Sequence, residues 1–139
     1  MRKPLWILLL LVMVLSCKKA ITETAISKIN GYWEIEKVIL ADGTKKEYKV
    51  NPTIDYFELK DNKGFRQKVM PQLDGTYTTN NLKEMILISN EGGDYYINYS
   101  TSFGKWKEEI LELEDSILIV KNAANLEYHY KKQIPFTLK

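Results

Sequence analysis

Between residues 31 and 132 apolar and polar side chains alternate in short runs, and turn-forming residues interrupt them about every 8–12 positions. In the first run Trp33, Ile35, Lys37 and Ile39 alternate with Tyr32, Glu34, Glu36 and Val38, the period of two that strands produce. Asp42-Gly43 marks a turn and Asn51-Pro52 a break. Residues 53–60 follow as a strand with Phe57 and Leu59 on one face. Asp61-Asn62-Lys63-Gly64 is the next turn, residues 65–70 the return strand, and Pro71 its end. Asp74-Gly75 opens a short strand through Thr79, and the apolar stretch 85–89 is closed by Glu91-Gly92-Gly93-Asp94. Tyr95, Ile97, Tyr99 and Phe103 share a face, and Gly104 turns the chain back. The next strand changes phase, from Trp106 and Ile110 to Leu111 and Leu113, which predicts a β-bulge. Residues 117–121 and 126–132 complete the set. The only helical spacing is a turn around Ile26 and Ile29. Eight or nine sequential strands joined by short turns predict an all-β, antiparallel up-and-down meander. Closure into a barrel of about eight strands buries the edges that an open sheet leaves exposed.

Upstream the pattern is different. Arg2 and Lys3 precede an uninterrupted apolar run from Leu5 to Leu15, and Val14-Leu15-Ser16 leads to Cys17. About 11 apolar residues suit the core of an export signal and fall short of the roughly 20 that span a bilayer. Val14-Leu15-Ser16-Cys17 resembles the lipobox of bacterial lipoproteins. That resemblance implies cleavage after Ser16, a diacylglycerol thioether on the Cys17 thiol and a further acyl chain, such as palmitate, on the freed amine. Two or more chains anchor a protein stably, whereas one does so only marginally. Residues 1–16 are therefore expected to be a signal peptide and 17–28 a polar, lipidated tether. Lys18 and Lys19 follow the cysteine. By resemblance to sorted lipoproteins of Gram-negative bacteria, the absence of Asp at the second mature position implies the outer membrane of the cell envelope. The absence of an acidic run there implies that the domain faces the periplasm.

Charge changes the picture once the leader is set aside. The chain carries 20 basic and 18 acidic side chains, and removal of Arg2 and Lys3 leaves 18 of each. A neutral, sign-interspersed domain lacks the basic face that nucleic acid requires. One cysteine and one histidine, His129, supply neither a disulfide nor a zinc site. No phosphate loop, nucleophile elbow or calcium loop is present, so neither metal nor cofactor is expected.

Gly31-Tyr32-Trp33 at the head of the first strand resembles the Gly-x-Trp of lipocalins, in which the indole closes the barrel floor. Residues 57–65, Asp74-Gly75-Thr76-Tyr77, the hairpin 110–118 and Glu127-Tyr128-His129-Tyr130 resemble successive segments of bacterial lipocalin-like lipoproteins. The resemblance implies a lipocalin-like β-barrel over residues 29–139, without the C-terminal helix of true lipocalins.

A barrel of this size is either filled by its own side chains or holds one small molecule. The candidate lining residues are Trp33, Ile35, Phe57, Leu59, Tyr95, Ile97, Tyr99 and Tyr128, with Phe65 and Leu118 also expected inside. If they leave room, the partner is a small apolar molecule. If they do not, the barrel is a structural platform for an envelope protein. Tyr95, Tyr96 and Tyr99 with Trp106 have the chemistry to stack on sugar rings, though cross-strand packing uses the same residues. His129 has no acid/base partner visible in the sequence. Glu108, Glu109, Glu112, Glu114 and Asp115 are interleaved with Lys105 and Lys107 and read as a solvated face. The expected protein is not an enzyme.

Overall fold

The structure, a computed structural model, describes residues 19–134; the leader, Cys17 and the last five residues lie outside the described range. Nine strands follow a short 3₁₀ helix, Glu23–Ile29. They are β1 Gly31–Ile39, β2 Lys45–Glu47, β3 Ile54–Lys60, β4 Lys63–Pro71, β5 Tyr77–Glu91, β6 Asp94–Thr101, β7 Gly104–Leu113, β8 Ile117–Lys121 and β9 Glu127–Lys132. Neighbours pair antiparallel in chain order from β3 to β9, and β9 pairs back onto β1, whose first residues pair with β3. Eight strands thus close a barrel, and β2 is an additional strand on the second half of β1. Between β2 and β3 the wall is bridged by a side chain: Asn51 Nδ2 donates to the Ile35 carbonyl at 2.9 Å and to Glu34 Oε1 at 3.1 Å.

Three departures from strict alternation decide which residues face inward. In β1 the register against β9 slips between Ile35 and Lys37, so Glu36 bulges and Val38, not Lys37 or Ile39, follows Ile35 into the interior. In β7 the slip between Ile110 and Glu112 is the expected bulge, and it carries Glu108, Ile110 and Leu113 to one face. In β5 the partners of Gln67 and Val69 are Lys83 and Thr79, so residues 80–82 bulge from the wall, with Asn81 at φ 60°. The two short runs expected around residues 75–79 and 85–89 are therefore one interrupted strand.

The β3–β4 turn is tighter than the sequence suggested. Asp61 and Asn62, at φ 53° and 64°, form a two-residue turn, the geometry that matches strand twist. This pairing sets Phe57 opposite Arg66 and Glu58 opposite Phe65. Phe65 is consequently outside, tilted on Tyr56 with Lys83 over its ring. Gly64 follows the turn where a Cβ would come within 1.7 Å of the Glu58 carbonyl oxygen, so no side chain fits there. Phe103, expected to share a face with Tyr95, Ile97 and Tyr99, is fully exposed in the β6–β7 turn.

Beyond the β5 bulge the β4–β5 hairpin leaves the barrel and lies on the outer wall. Tyr77 stacks on Tyr32 with ring centroids 4.0 Å apart, although β3 and β4 separate their strands in the sheet. Its hydroxyl is 3.1 Å from Gln133 Oε1. Ile54 and Val69 are paired and buried on this outer side, apart from the main core.

One end of the barrel is closed. Thr22 caps the 3₁₀ helix, which drives Ile26 and Ile29 into the core. The Trp33 indole donates to the Ile29 carbonyl at 2.7 Å, as the Gly-x-Trp resemblance implied for a floor. Lys132 lies 4.6 Å over that indole and donates to the carbonyls of Lys28 and Asn30. Gly31, at φ 118°, makes room: a Cβ there would meet Lys132 Cε at 2.9 Å. The segment expected to be a tether is thus partly docked, because its isoleucines have an apolar floor to cover. Ile21 packs against the core and Lys19 reaches Glu114 at 3.3 Å.

Candidate functional site

The barrel interior divides by height. Toward the floor it is filled: Trp33, Phe57, Ile88, Ile97, Ile110, Leu113 and Leu118 are buried against Ile26 and Ile29. Each large apolar side chain so buried contributes about 1.5–3 kcal/mol. All eight candidate lining residues join this mass. Trp33, Phe57, Ile97 and Tyr99 are buried within the cluster, and Ile35, Leu59, Tyr95 and Tyr128 pack against it. Their visible use in the structure is packing.

Above the filled half sits a layer of charge. Asp55 and Lys68 are paired across β3 and β4, and Arg66 and Glu84 across β4 and β5. Glu108 enters from β7 opposite Ile97. Arg66 donates through Nε and Nη2 to the two Glu84 oxygens at 2.8 and 3.0 Å, a fork-on-fork pair. Its Nη1 reaches the Tyr99 hydroxyl at 3.3 Å, and the guanidinium carbon lies 4.3 Å from the centre of the Tyr99 ring. Tyr99 stacks in turn on Trp106, centroids 5.2 Å apart, so the tyrosine–tryptophan pair supports a cation instead of an open sugar platform. Lys68 Nζ lies 2.6 Å from Asp55 Oδ1, close enough for an ion pair but out of hydrogen-bond alignment, which leaves that oxygen without a bonded donor.

Electrostatics follow the burial. Desolvation raises the Glu108 carboxyl above the usual glutamate range, against the pull of Tyr99 and Arg66. Burial also pushes the Tyr99 and Tyr130 hydroxyls well up, so both stay protonated donors. Burial works against the Arg66 charge, but Tyr99, Glu84 and Asp55 more than offset it and keep the guanidinium cationic. Among the described residues no group of three His, Cys, Asp or Glu side chains is placed to hold a metal.

Two members of this layer, Lys68 and Glu84, line a cavity of about 310 Å³ at the open end, together with Asn80, Leu82, Lys83, Thr101, Ser102 and Phe103. The β5 bulge and the β6–β7 turn form its lip, and both present apolar side chains, Leu82 and Phe103, to solvent. A larger groove of about 460 Å³ runs along the outer wall between Met85, Leu87, Asn98, Lys105 and Lys107. It is an open strip of sheet surface, where Ile86, Tyr99 and Trp106 also contribute to the lining. The mouth cavity, with an apolar lip over charged side chains, has the features of a recognition site.

None of the charged members was singled out from the sequence, and one was misread. Glu108, expected on a solvated face, is 6% exposed. Its position midway between Trp106 and Ile110 carried the signal, because period two puts all three on one side. Asp55 stands in the same relation to Phe57 and Leu59. Tyr96 faces outward beneath Lys107, and His129 Nε2 is 3.1 Å from Glu127 Oε2 with no second acid/base partner shown.

An eight-stranded antiparallel barrel with a tryptophan-sealed floor and an open mouth defines a class of protein. The chain belongs to the lipocalin-like domain family, whose model matches residues 29–120, about two thirds of its length. Among solved structures it is similar to a lipocalin-like protein from Bacteroides uniformis ATCC 8492, with a TM-score of 0.50 and 18% identity over 76% of this chain and 99% of that one. At that identity the likeness shows the fold. No curated protein matches the chain.

Proposed function

We propose that this protein is a lipid-anchored envelope lipoprotein that binds a small amphiphilic molecule at the barrel mouth. The observation that carries the reading is the cavity of about 310 Å³ with Leu82 and Phe103 at its lip and Lys68 and Glu84 at its base. The expectation of a wholly apolar ligand deep in the barrel becomes a ligand with an apolar part at the lip and a polar part at the charged layer. The filled lower half leaves that layer as the depth limit.

Anchoring rests on the lipobox resemblance at Cys17, and the fold adds an orientation. Lys19 bonds Glu114 in the β7–β8 turn at the floor end, and two residues of chain reach only about 7 Å. An acylated Cys17 would hold the floor against the membrane and turn the mouth away from it, open to periplasmic ligand. An apolar lip over charged side chains suits recognition of a ligand.

The test is titration with N-phenylnaphthylamine, a neutral apolar fluorophore. Binding near micromolar affinity that is abolished by Thr101→Trp, which fills the cavity, and kept by Val50→Trp supports the reading. Binding indifferent to Thr101→Trp contradicts it. Mass spectrometry of the mature N-terminus tests the anchor separately: an unmodified Cys17 or a retained leader removes it.

A further inference from the structure

The charged layer is not balanced. It holds three carboxylates, Asp55, Glu84 and Glu108, against two cations, Arg66 and Lys68. Arg66 places two nitrogens on Glu84 and the third on Tyr99. Glu108 Oε1 is left 3.8 Å from Nη1, beyond hydrogen-bond reach, and no protein donor serves it. That side chain is more than nine-tenths buried. Two further lysines are engaged by other groups: Lys83, which also lines the cavity, lies over Phe65, and Lys107 is on Glu91. A buried carboxylate oxygen without a donor is costly, and so is a buried excess of negative charge. The Lys68 ammonium can swing aside and stay within the layer, since its side chain is 55% exposed.

Building on the mouth-site reading above, we propose that the ligand is a cationic amphiphile, an alkyl chain bearing a protonated primary amine. The ammonium enters past Lys68 and supplies the donors that Asp55 Oδ1 and Glu108 Oε1 lack. It brings the layer to three charges of each sign. The alkyl part leaves the charged layer upward, along Leu82 and Phe103. An anionic head group of the same length would add a fourth carboxylate to a layer already in excess by one, which disfavours it even beside Lys68 and Lys83.

Octylammonium, octanoate and octanol, each below its micellar range, discriminate by head group alone. Titrated into the purified protein and followed by tryptophan fluorescence, octylammonium is expected to bind about tenfold or more tighter than octanoate. Octanol is expected between them. Glu108→Gln, nearly isosteric and so compatible with folding, is expected to reduce the preference to about threefold or less; Asp55→Asn is the second variant. Octanoate binding as tightly as octylammonium, or an undiminished amine preference in Glu108→Gln, overturns the proposal and leaves the mouth site standing. If none of the three binds, the proposal is overturned, and the N-phenylnaphthylamine titration decides the mouth site separately.

Discussion

Replacing Arg66 with methionine removes the cation that holds the barrel's charged layer together while keeping much of its stem volume. The side chain is 13% exposed, clamps Glu84 by two hydrogen bonds and is the nearer cation to Glu108. Removal of one partner of a buried ion pair costs about 3–5 kcal/mol, because the other charge stays behind uncompensated. Glu84 is 25% exposed and can rehydrate in part, so the low end applies, about 3 kcal/mol out of the roughly 5–15 kcal/mol of a domain this size. The pH dependence fixes the mechanism. Burial already raises the Glu108 carboxyl, and loss of Arg66 raises it further. The folded variant then binds more protons than the unfolded chain between the unfolded carboxylate pKa and the raised one. Its stability falls as pH rises through that window and recovers as pH is lowered. Urea unfolding followed by tryptophan fluorescence should show a loss of about 3 kcal/mol near pH 7 that shrinks by about 1 kcal/mol or more near pH 5. A loss under about 1 kcal/mol at neutral pH, or one that grows on acidification, would refute the buried-charge reasoning.

The same linkage in the native chain, where burial raises the Glu108 carboxyl, predicts that Glu108→Gln is the more stable protein near neutral pH, and that the gain vanishes below the unfolded glutamate pKa, where both side chains are neutral; unfolding curves at the two pH values check it. Trp33→Phe deletes the indole bond to the Ile29 carbonyl and should cost about 2 kcal/mol, with hydrogen exchange rising first in the 3₁₀ helix over the floor. Gly64→Ala places a methyl 1.7 Å from the Glu58 oxygen, a backbone clash expected to cost about 3 kcal/mol or more in thermal unfolding.

The barrel could be read from the sequence because its signals are local. Turn residues between runs of period two gave the strand count and the meander, and the phase change from Ile110 to Leu111 marked a bulge that is present. What escaped depends on contacts between distant strands. The fold-back of the β4–β5 hairpin rests on Tyr77 meeting Tyr32, 45 positions away, and nothing near either residue announces it. The slip at Glu36 likewise appears only against β9. Phe65 was assigned inward by its hydrophobicity, yet pairing across the two-residue turn reserves the inner face for Arg66.

The charged layer was missed for a different reason. Charged side chains are seldom buried unless paired, and that habit outweighed the strand parity that placed Glu108 between Trp106 and Ile110. The partners that make its burial tolerable, Arg66 on β4 and Tyr99 on β6, lie on other strands and come together only on closure.

Backbone amide shift mapping during an octylammonium titration addresses the mouth site most directly. The account predicts changes concentrated at Lys68, Leu82, Glu84, Thr101 and Phe103, spreading to Asp55 and Glu108 at saturation. Changes confined to the outer-wall strip of Met85, Leu87 and Asn98, or a spectrum that does not move, would contradict it.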